Sequence, residues 1–391
     1  MKPTNPVFTG LETTIFETMS RLAMAHGAVN LGQGFPDVDG PLDIREAAAK
    51  ALVDGPNQYP PMLGLPELRQ AVATANKRFY GLDVDWQTQI VVTSGATEAL
   101  TDCIMALVEQ GDEVILIEPL YDCYLPLVKR AGGVPVRLRV TPPAWSLDLD
   151  VLAAAFSPKT KALLINNPMN PAAKVFSDEE LSAIARLCVE HDVYAICDEV
   201  YEHLVFEGEV HRPLMTYPGM AERTLRIGSA GKTFSLTGWK VGYITGAPKL
   251  IDPIAKAHQY VTFTTPPNLQ KAVAFGLAKD DDYYTGLAGD LAAKRDLMAN
   301  GLEALGFTVL PCAATYFLTC DITGLGIGET DVEACQRMVE EAGVAAVPVS
   351  AFYGGDAPTN FIRFCFCKQD HVIEEAMNRL TKWMRPAAIA S

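Results

Sequence analysis

Short β-rich runs alternate with helical stretches between residues 88 and 247, and this predicts an α/β fold with a mostly parallel sheet covered on its faces by helices. After residue 280 the texture changes to a long charged helix pattern followed by strands that do not continue the alternation. The division that follows is one large α/β domain over residues 40–285 and a smaller α+β domain formed by residues 1–39 and 286–391.

Six β-rich runs carry the first part: Gln89–Thr93, Glu113–Glu118, Lys161–Asn166, Tyr194–Asp198, Thr224–Gly228 and Val241–Gly246. Between them, Ser177-Asp-Glu-Glu180 has a serine at a plausible N-cap and a glutamate three residues on. Apolar residues follow at Leu181, Ile184, Ala185 and Cys188, the spacing of one helix face. A helix over Leu269–Leu291 is expected to join the two parts. A helix over Asp290–Leu305 and strands at Phe307–Leu310, Tyr316–Asp321 and Phe361–Cys367 then build the smaller one.

Composition narrows the class. Of 391 residues, 32 are Lys or Arg and 47 are Asp or Glu, a net charge of −15, which lacks the cationic footprint of a nucleic-acid or anionic-membrane binder. No apolar run reaches the ~18 residues of a membrane span, and Met1–Gly10 has no signal-peptide layout, so a soluble, cytoplasmic protein is expected. The nine cysteines sit mostly in apolar patterns, as at Cys188, Cys197 and Cys320, and read as reduced core residues. Cys365 and Cys367 share a strand face, but no second Cys or His pair stands at zinc spacing, so no metal is expected.

The unusual polar residues fall at the carboxyl ends of strands, where open parallel sheets bind ligands. Thr93-Ser-Gly-Ala-Thr97, Asn166-Asn-Pro-Met-Asn-Pro171, Asp198-Glu-Val-Tyr201 and Ser229-Ala-Gly-Lys-Thr233 each follow a strand. Gly231-Lys232-Thr233 is not a phosphate loop, since Arg226 stands where its first glycine belongs. Ser229 is not a hydrolase nucleophile, since Ile227 replaces the first glycine of G-x-S-x-G. What remains is a lysine, a strand-end aspartate, a tyrosine three residues after it and an Asn-Pro turn.

One chemistry uses that set. A lysine in a protected loop forms a Schiff base with an aldehyde cofactor. A helix N-terminus with small residues, Gly95-Ala96-Thr97, suits an anionic phosphate. A carboxylate at the end of an apolar strand, Asp198, keeps a pyridine nitrogen protonated. The inventory points to pyridoxal 5′-phosphate. Blander readings exist: Asp198 as a helix cap, Asn170 as a turn residue, and Arg363 as a buried cation balanced either by an internal acid or by a substrate carboxylate.

Ser229-Ala-Gly-Lys-Thr-Phe-Ser-Leu-Thr-Gly-Trp-Lys-Val-Gly-Tyr243 resembles the lysine-bearing segment of fold-type I, class I/II aminotransferases. The likeness continues through Asn30-Leu-Gly-Gln-Gly-Phe-Pro-Asp37, Asn57-Gln-Tyr59, Asn167-Pro-Met-Asn-Pro171, Asp198-Glu-Val-Tyr201 and Arg363-Phe-Cys-Phe366, in the family's order. Gly32-Gln-Gly-Phe-Pro36 and Glu118-Pro-Leu-Tyr-Asp-Cys-Tyr124 are most similar to the kynurenine aminotransferase/glutamine transaminase K branch.

The resemblance implies a seven-stranded, mostly parallel sheet in the large domain and a set of roles. Lys232 is implied as the residue that holds the cofactor aldehyde and then moves a proton from the substrate Cα, and Asp198 as the partner of the ring nitrogen. Asn170 and Tyr201 are implied at the ring hydroxyl, and Tyr121 stacked on the ring. Gly95, Ala96, Thr97, Ser229 and Lys240 are implied around the phosphate, joined by Tyr59 from the other subunit of a homodimer. Arg363 is implied at the substrate α-carboxylate, a task suited to its bidentate fork, with Gly34 and Asn170 beside it. Two positions depart from the family pattern: Ala173 replaces a usual glycine, and Lys240 stands where many members have arginine. Cis peptides are implied before Pro119 and Pro171.

The expected reaction is amino transfer from an L-amino acid to a 2-oxo acid. A β-lyase using the same cofactor is the alternative, and a pyridoxal-binding regulator is disfavoured because no basic DNA-binding module precedes the α/β domain. The pocket segments Phe8–Phe16, Phe35 and Tyr260–Thr265 contain no Arg or Lys, so neutral, bulky or aromatic donors are expected over aspartate.

Overall fold

Seven strands form the large sheet of the computed structural model, which describes residues 2–385. They are β1 (Ile90–Thr93), β2 (Glu113–Glu118), β3 (Val134–Arg139), β4 (Thr160–Asn166), β5 (Tyr194–Asp198), β6 (Thr224–Ser229) and β7 (Gly242–Gly246). Their spatial order is β1-β7-β6-β5-β4-β2-β3, and only β7 runs antiparallel to its neighbours.

Both faces are buried, which explains the unbroken apolar runs. Leu116, Leu164, Ile196 and Ile227 pack on one side with the helices Gly95–Leu107 and Pro248–Val261. Ile115, Leu163, Ile165 and Cys197 pack on the other with the helix Asp178–Glu190. That helix starts as expected: Ser177 Oγ accepts from Glu180 N at 3.2 Å, and Glu180 Oε2 accepts from Ser177 N at 2.9 Å.

The six runs singled out in the sequence are all strands, but β3 was not among them. It is an edge strand with only Leu138 fully buried, and its Pro135, Arg137 and Arg139 hide the β pattern. The single joining helix expected over Leu269–Leu291 is two helices, Pro267–Leu277 and Asp281–Ala304. The break comes at Asp280, whose carboxylate accepts from Tyr283 N at 3.3 Å and caps the second helix.

The second sheet has four antiparallel strands in the order Val347–Pro348, Phe361–Cys365, Phe317–Asp321, Thr308–Val309. Val29–Asn30 pairs in parallel with Val344–Ala345 and ties the N-terminal segment to this part of the chain. Glu118–Pro119 and Asn170–Pro171 are cis, as expected, and Asn167–Pro168 is as well. Ala173 adopts φ +54°, the left-handed conformation that the usual glycine takes without strain. All nine cysteines are free thiols, and Cys365 and Cys367 lie buried with their sulfurs 3.1 Å apart. Among the described residues no helix is long and apolar enough to cross a membrane.

Candidate active site

The carboxyl ends of β4, β5 and β6, the start of helix Gly95–Leu107 and the strand Phe361–Cys365 close around a cavity of about 360 Å³. Every candidate named from the sequence lines it except Tyr59. Tyr59 is 84% exposed and packs edge to face against Phe263, their ring centres 5.4 Å apart. The expected pocket segment Tyr260–Thr265 does not line the cavity of its own chain either, nor does Phe35, whereas Phe16 does.

One end of the cavity is built for an anion. Helix Gly95–Leu107 begins with no side-chain cap, so its first amides, including Ala96 and Thr97, have no intrahelical acceptor. Gly95 (φ +75°) and Gly242 let the chain close in: a Cβ on Gly242 would stand 2.9 Å from Ala96 N, and one on Gly95 would stand 3.3 Å from Lys240 Cε. Lys240 turns toward the same place from a left-handed residue, φ +54°, and Ser229 ends β6 beside it. Amides, hydroxyl and ammonium thus converge where only glycine leaves room.

At the other side of the cavity Asp198 is 5% exposed. Its Oδ2 accepts from Tyr124 Oη at 2.6 Å, and its backbone carbonyl accepts from Asn166 Nδ2 at 2.9 Å. Burial raises the pKa of Asp198, opposed by the Tyr124 and Val200 hydrogen bonds and by the charge of Lys232. A protonated ring nitrogen placed here would meet a buried carboxylate already oriented by a tyrosine. Asn166 also fixes Asn170, whose backbone N donates to Asn166 Oδ1 at 2.7 Å. Tyr201 is buried three residues beyond Asp198, its phenol pKa raised, chiefly by burial. Tyr121 lines the wall and meets Tyr124 edge to face at 5.8 Å.

Lys232 stands on the short helical turn Ala230–Thr233. Its Nζ donates to Tyr316 Oη at 2.9 Å, and Tyr316 Oη donates to Gly34 O at 2.8 Å. Burial depresses the lysine pKa, and nearby Lys240 adds to the effect against the opposing charge of Asp198. Depression favours the neutral amine, the form that attacks a carbonyl.

Arg363 is fully buried, its guanidinium carbon 4.0 Å from the ring centre of Phe317 and 5.3 Å from that of Phe16. Nη1 donates to Asn170 Oδ1 and Nη2 to Gly32 O, both at 2.8 Å, while Nε has no partner. No internal acid pairs with it among the described residues, so its charge has no counter-ion within them. Tyr124, Tyr316 and Phe317 were not singled out from the sequence. Tyr124 ends a quoted motif and Tyr316 begins an expected strand, but nothing local pairs the one with Asp198 or the other with Lys232.

These residues fit pyridoxal 5′-phosphate: an amide-and-lysine cup for phosphate, a buried carboxylate for the ring nitrogen, an amine for the aldehyde and an unpaired guanidinium for the substrate. The family model for aminotransferase class I and II matches residues 27–380. The chain is 44% identical over 380 residues to a probable N-succinyldiaminopimelate aminotransferase of Mycobacterium tuberculosis, covering 94% of this chain and 96% of the relative. The solved structure of that enzyme superposes with a TM-score of 0.94, covering 97% of this chain and 99% of the other. A methionine aminotransferase of Escherichia coli is 40% identical over 370 residues, with 95% and 96% covered. Human kynurenine–oxoglutarate transaminase 3 is 38% identical over 403 residues, with 96% and 89% covered, so the likeness to the kynurenine branch is matched or exceeded by other substrate classes. The chain therefore belongs to the class I and II aminotransferases and is a pyridoxal-phosphate-dependent aminotransferase of fold type I.

Proposed function

We propose that this enzyme moves the amino group of a neutral or aromatic L-amino acid to a 2-oxo acid, with the donor carboxylate held by Arg363 and the donor side chain directed away from cations. Pyridoxal phosphate supplies the aldehyde that takes the amino group and the ring that accepts an electron pair from the substrate Cα. Lys232 holds the aldehyde in the resting enzyme, and its amine, once released, carries the Cα proton. Asp198 keeps the ring nitrogen protonated, Asn170 and Tyr201 hydrogen-bond the ring hydroxyl, and Tyr121 stacks on the ring. Ala96, Thr97, Ser229 and Lys240 hold the phosphate. Residues 40–285 form the cofactor-binding domain, and residues 2–39 with 286–385 the smaller one, the ends of the expected small domain lying outside the described residues. A second copy of the chain supplies Tyr59 to the phosphate, a role suited to its exposure beside Phe263.

The observation that carries the substrate reading is the distribution of charge. Lys232, Lys240 and Arg363 are the only Lys or Arg residues lining the cavity among the described residues, and each has a task. A second cavity of about 640 Å³ adjoins it through Phe16, Tyr121 and Asp122. Among the described residues its lining includes Glu12, Glu118 and Asp122 and no Lys, Arg or His. Glu118 is paired with Arg137 and Arg139 at 3.5 and 3.3 Å, which leaves Glu12 and Asp122 facing an incoming side chain. A distal carboxylate there gains no cation and meets like charge. Methionine, phenylalanine, tyrosine, glutamine and kynurenine fit that environment better than aspartate or N-succinyldiaminopimelate.

The test is to add single amino acids to the holoenzyme and follow the cofactor absorbance. Methionine or an aromatic donor is expected to convert the cofactor at micromolar to millimolar concentration. A large preference for aspartate or for the succinylated diamino acid overturns the pocket argument.

A further inference from the structure

Beneath the helix that starts at the phosphate cup lies a charged cluster that amino transfer does not use. Glu98, Asp102 and His258 are buried, the last two with no exposed surface. Glu98 and Asp102 are one turn apart on Gly95–Leu107 and share a face. His258 reaches them from the helix Pro248–Val261: its Nδ1 lies 2.9 Å from Glu98 Oε1 and 3.5 Å from Asp102 Oδ2, and its Nε2 lies 3.1 Å from Met62 O. The other oxygen of Glu98 accepts from Ser94 N, the N-cap of the same helix.

The proton inventory follows from these contacts. Burial alone would strip the proton from His258, but Asp102 and Glu98 outweigh it and push the pKa up to about 9. Asp102 is itself pushed up to about 6, first by burial, and its oxygens have no hydrogen-bond donor within normal range. The residue types suit a divalent cation as well. With its pKa held at about 9, His258 keeps a proton on Nδ1, the atom that meets both carboxylates, and that proton takes the place of a metal.

Three segments meet at His258. Glu98 joins it to the N-cap of the phosphate-binding helix. Met62 O joins it to the loop that carries Tyr59, which is bound in turn to β1 through Val92 N and Leu63 O at 3.0 Å. The carbonyl of His258 accepts from Thr262 N at 3.2 Å and Phe263 N at 2.9 Å, and Phe263 packs on Tyr59.

We propose that Glu98, Asp102 and His258 are positioning residues: an imidazolium held between two carboxylates locks the phosphate-binding N-terminus to the Tyr59 loop and to the Tyr260–Phe263 segment, setting the geometry of the phosphate cup. The inference rests on the reading that this helix N-terminus holds the cofactor phosphate.

The experiment measures binding of pyridoxal phosphate and of unphosphorylated pyridoxal to the full-length protein, stripped and refilled, by cofactor absorbance. Lys240→Met serves as the reference for the phosphate reading and is expected to weaken the phosphorylated form selectively. Glu98→Gln keeps the size of the side chain and an acceptor for Ser94 N, and His258→Gln keeps a donor for Met62 O. Each is expected to weaken pyridoxal phosphate about tenfold, the worth of one charge-assisted hydrogen bond, and to change pyridoxal less than about twofold. Glu98→Ala is expected to lose more than Glu98→Gln. If Lys240→Met is selective while Glu98→Gln and His258→Gln leave both ligands alone, or weaken both equally, the positioning role is overturned. If Lys240→Met shows no selectivity, the phosphate reading fails and the inference falls with it.

Discussion

Arg363 Nη1 donates to Asn170 Oδ1 at 2.8 Å, so the residue proposed to clamp the substrate carboxylate is held by the residue proposed to touch the cofactor ring. The contact joins the small antiparallel sheet, which carries Arg363, to the turn that follows β4. A carboxylate bound by the remaining guanidinium edge would thereby be tied to the residue proposed at the ring.

Arg363→Lys removes the fork and leaves a point charge. The expected outcome is a fall in kcat/KM of about 100-fold or more for every amino-acid donor, since two charge-assisted hydrogen bonds are at stake. Cofactor content should stay near that of the parent enzyme. Unchanged half-reaction rates with single donors would place the carboxylate elsewhere.

Tyr124→Phe deletes the hydroxyl that donates to Asp198 Oδ2 at 2.6 Å. Without that bond, burial drives the Asp198 pKa higher, and the carboxylate holds a ring proton less well. A decrease in kcat of about tenfold, with KM for the donor little altered, is expected from one hydrogen bond to a charged group. A variant that changes KM alone argues that Tyr124 serves the substrate instead.

Lys232→Ala should leave cofactor that dialyses away and is not fixed to the chain by borohydride, with transamination below detection. Covalent labelling that survives, mapped by mass spectrometry to another lysine, would reassign the nucleophile. Lys232→Arg, which keeps a donor for Tyr316 but not the amine, separates loss of chemistry from loss of the Tyr316 contact at 2.9 Å.

A buried ion network predicts acid lability. Arg226 bonds both Glu199 and Glu202, Tyr80 Oη donates to Glu202 Oε2 at 2.7 Å, and His211 meets Glu199 at 3.1 Å. Burial would raise the Glu202 pKa, but Arg226 and then His203 outweigh it and hold it down at about 2. A carboxylate lowered in the folded state contributes stability that is complete above its unfolded value near 4.5 and is lost as pH falls through 2. The contribution is on the order of a few kcal/mol. Urea unfolding of Glu202→Gln should show lower stability at neutral pH and a flatter dependence between pH 5 and 2 than the parent. Parallel curves would show that the network does not govern the acid limb.

How far the site was legible in the sequence depends on the reach of each contact. Asp198 and Tyr201, Gly95 to Thr97, and Ser229 to Lys232 are local sets placed by strand ends, and the cavity gathers all of them. Tyr316 meets Lys232 across 84 positions, Tyr124 meets Asp198 across 74, and His258 meets Glu98 across 160. No periodicity or motif encodes such pairings. The edge strand β3 was hidden for a different reason: half exposed, it has no need of the apolar run that marks a buried strand.

The sequence by itself determined the parallel sheet, the family and the strand-end residues proposed to bind cofactor and substrate, because strand burial and turn chemistry act over a few neighbouring residues. Only the tertiary structure decided what surrounds them. Among the described residues it left Arg363 buried without an internal acid, set Tyr124 on Asp198 and Tyr316 on Lys232, and lined the second cavity with carboxylates and no Lys, Arg or His. Desolvation and charge pairing depend on which distant segments pack together, and those terms set the protonation of the site and the proposed choice of substrate.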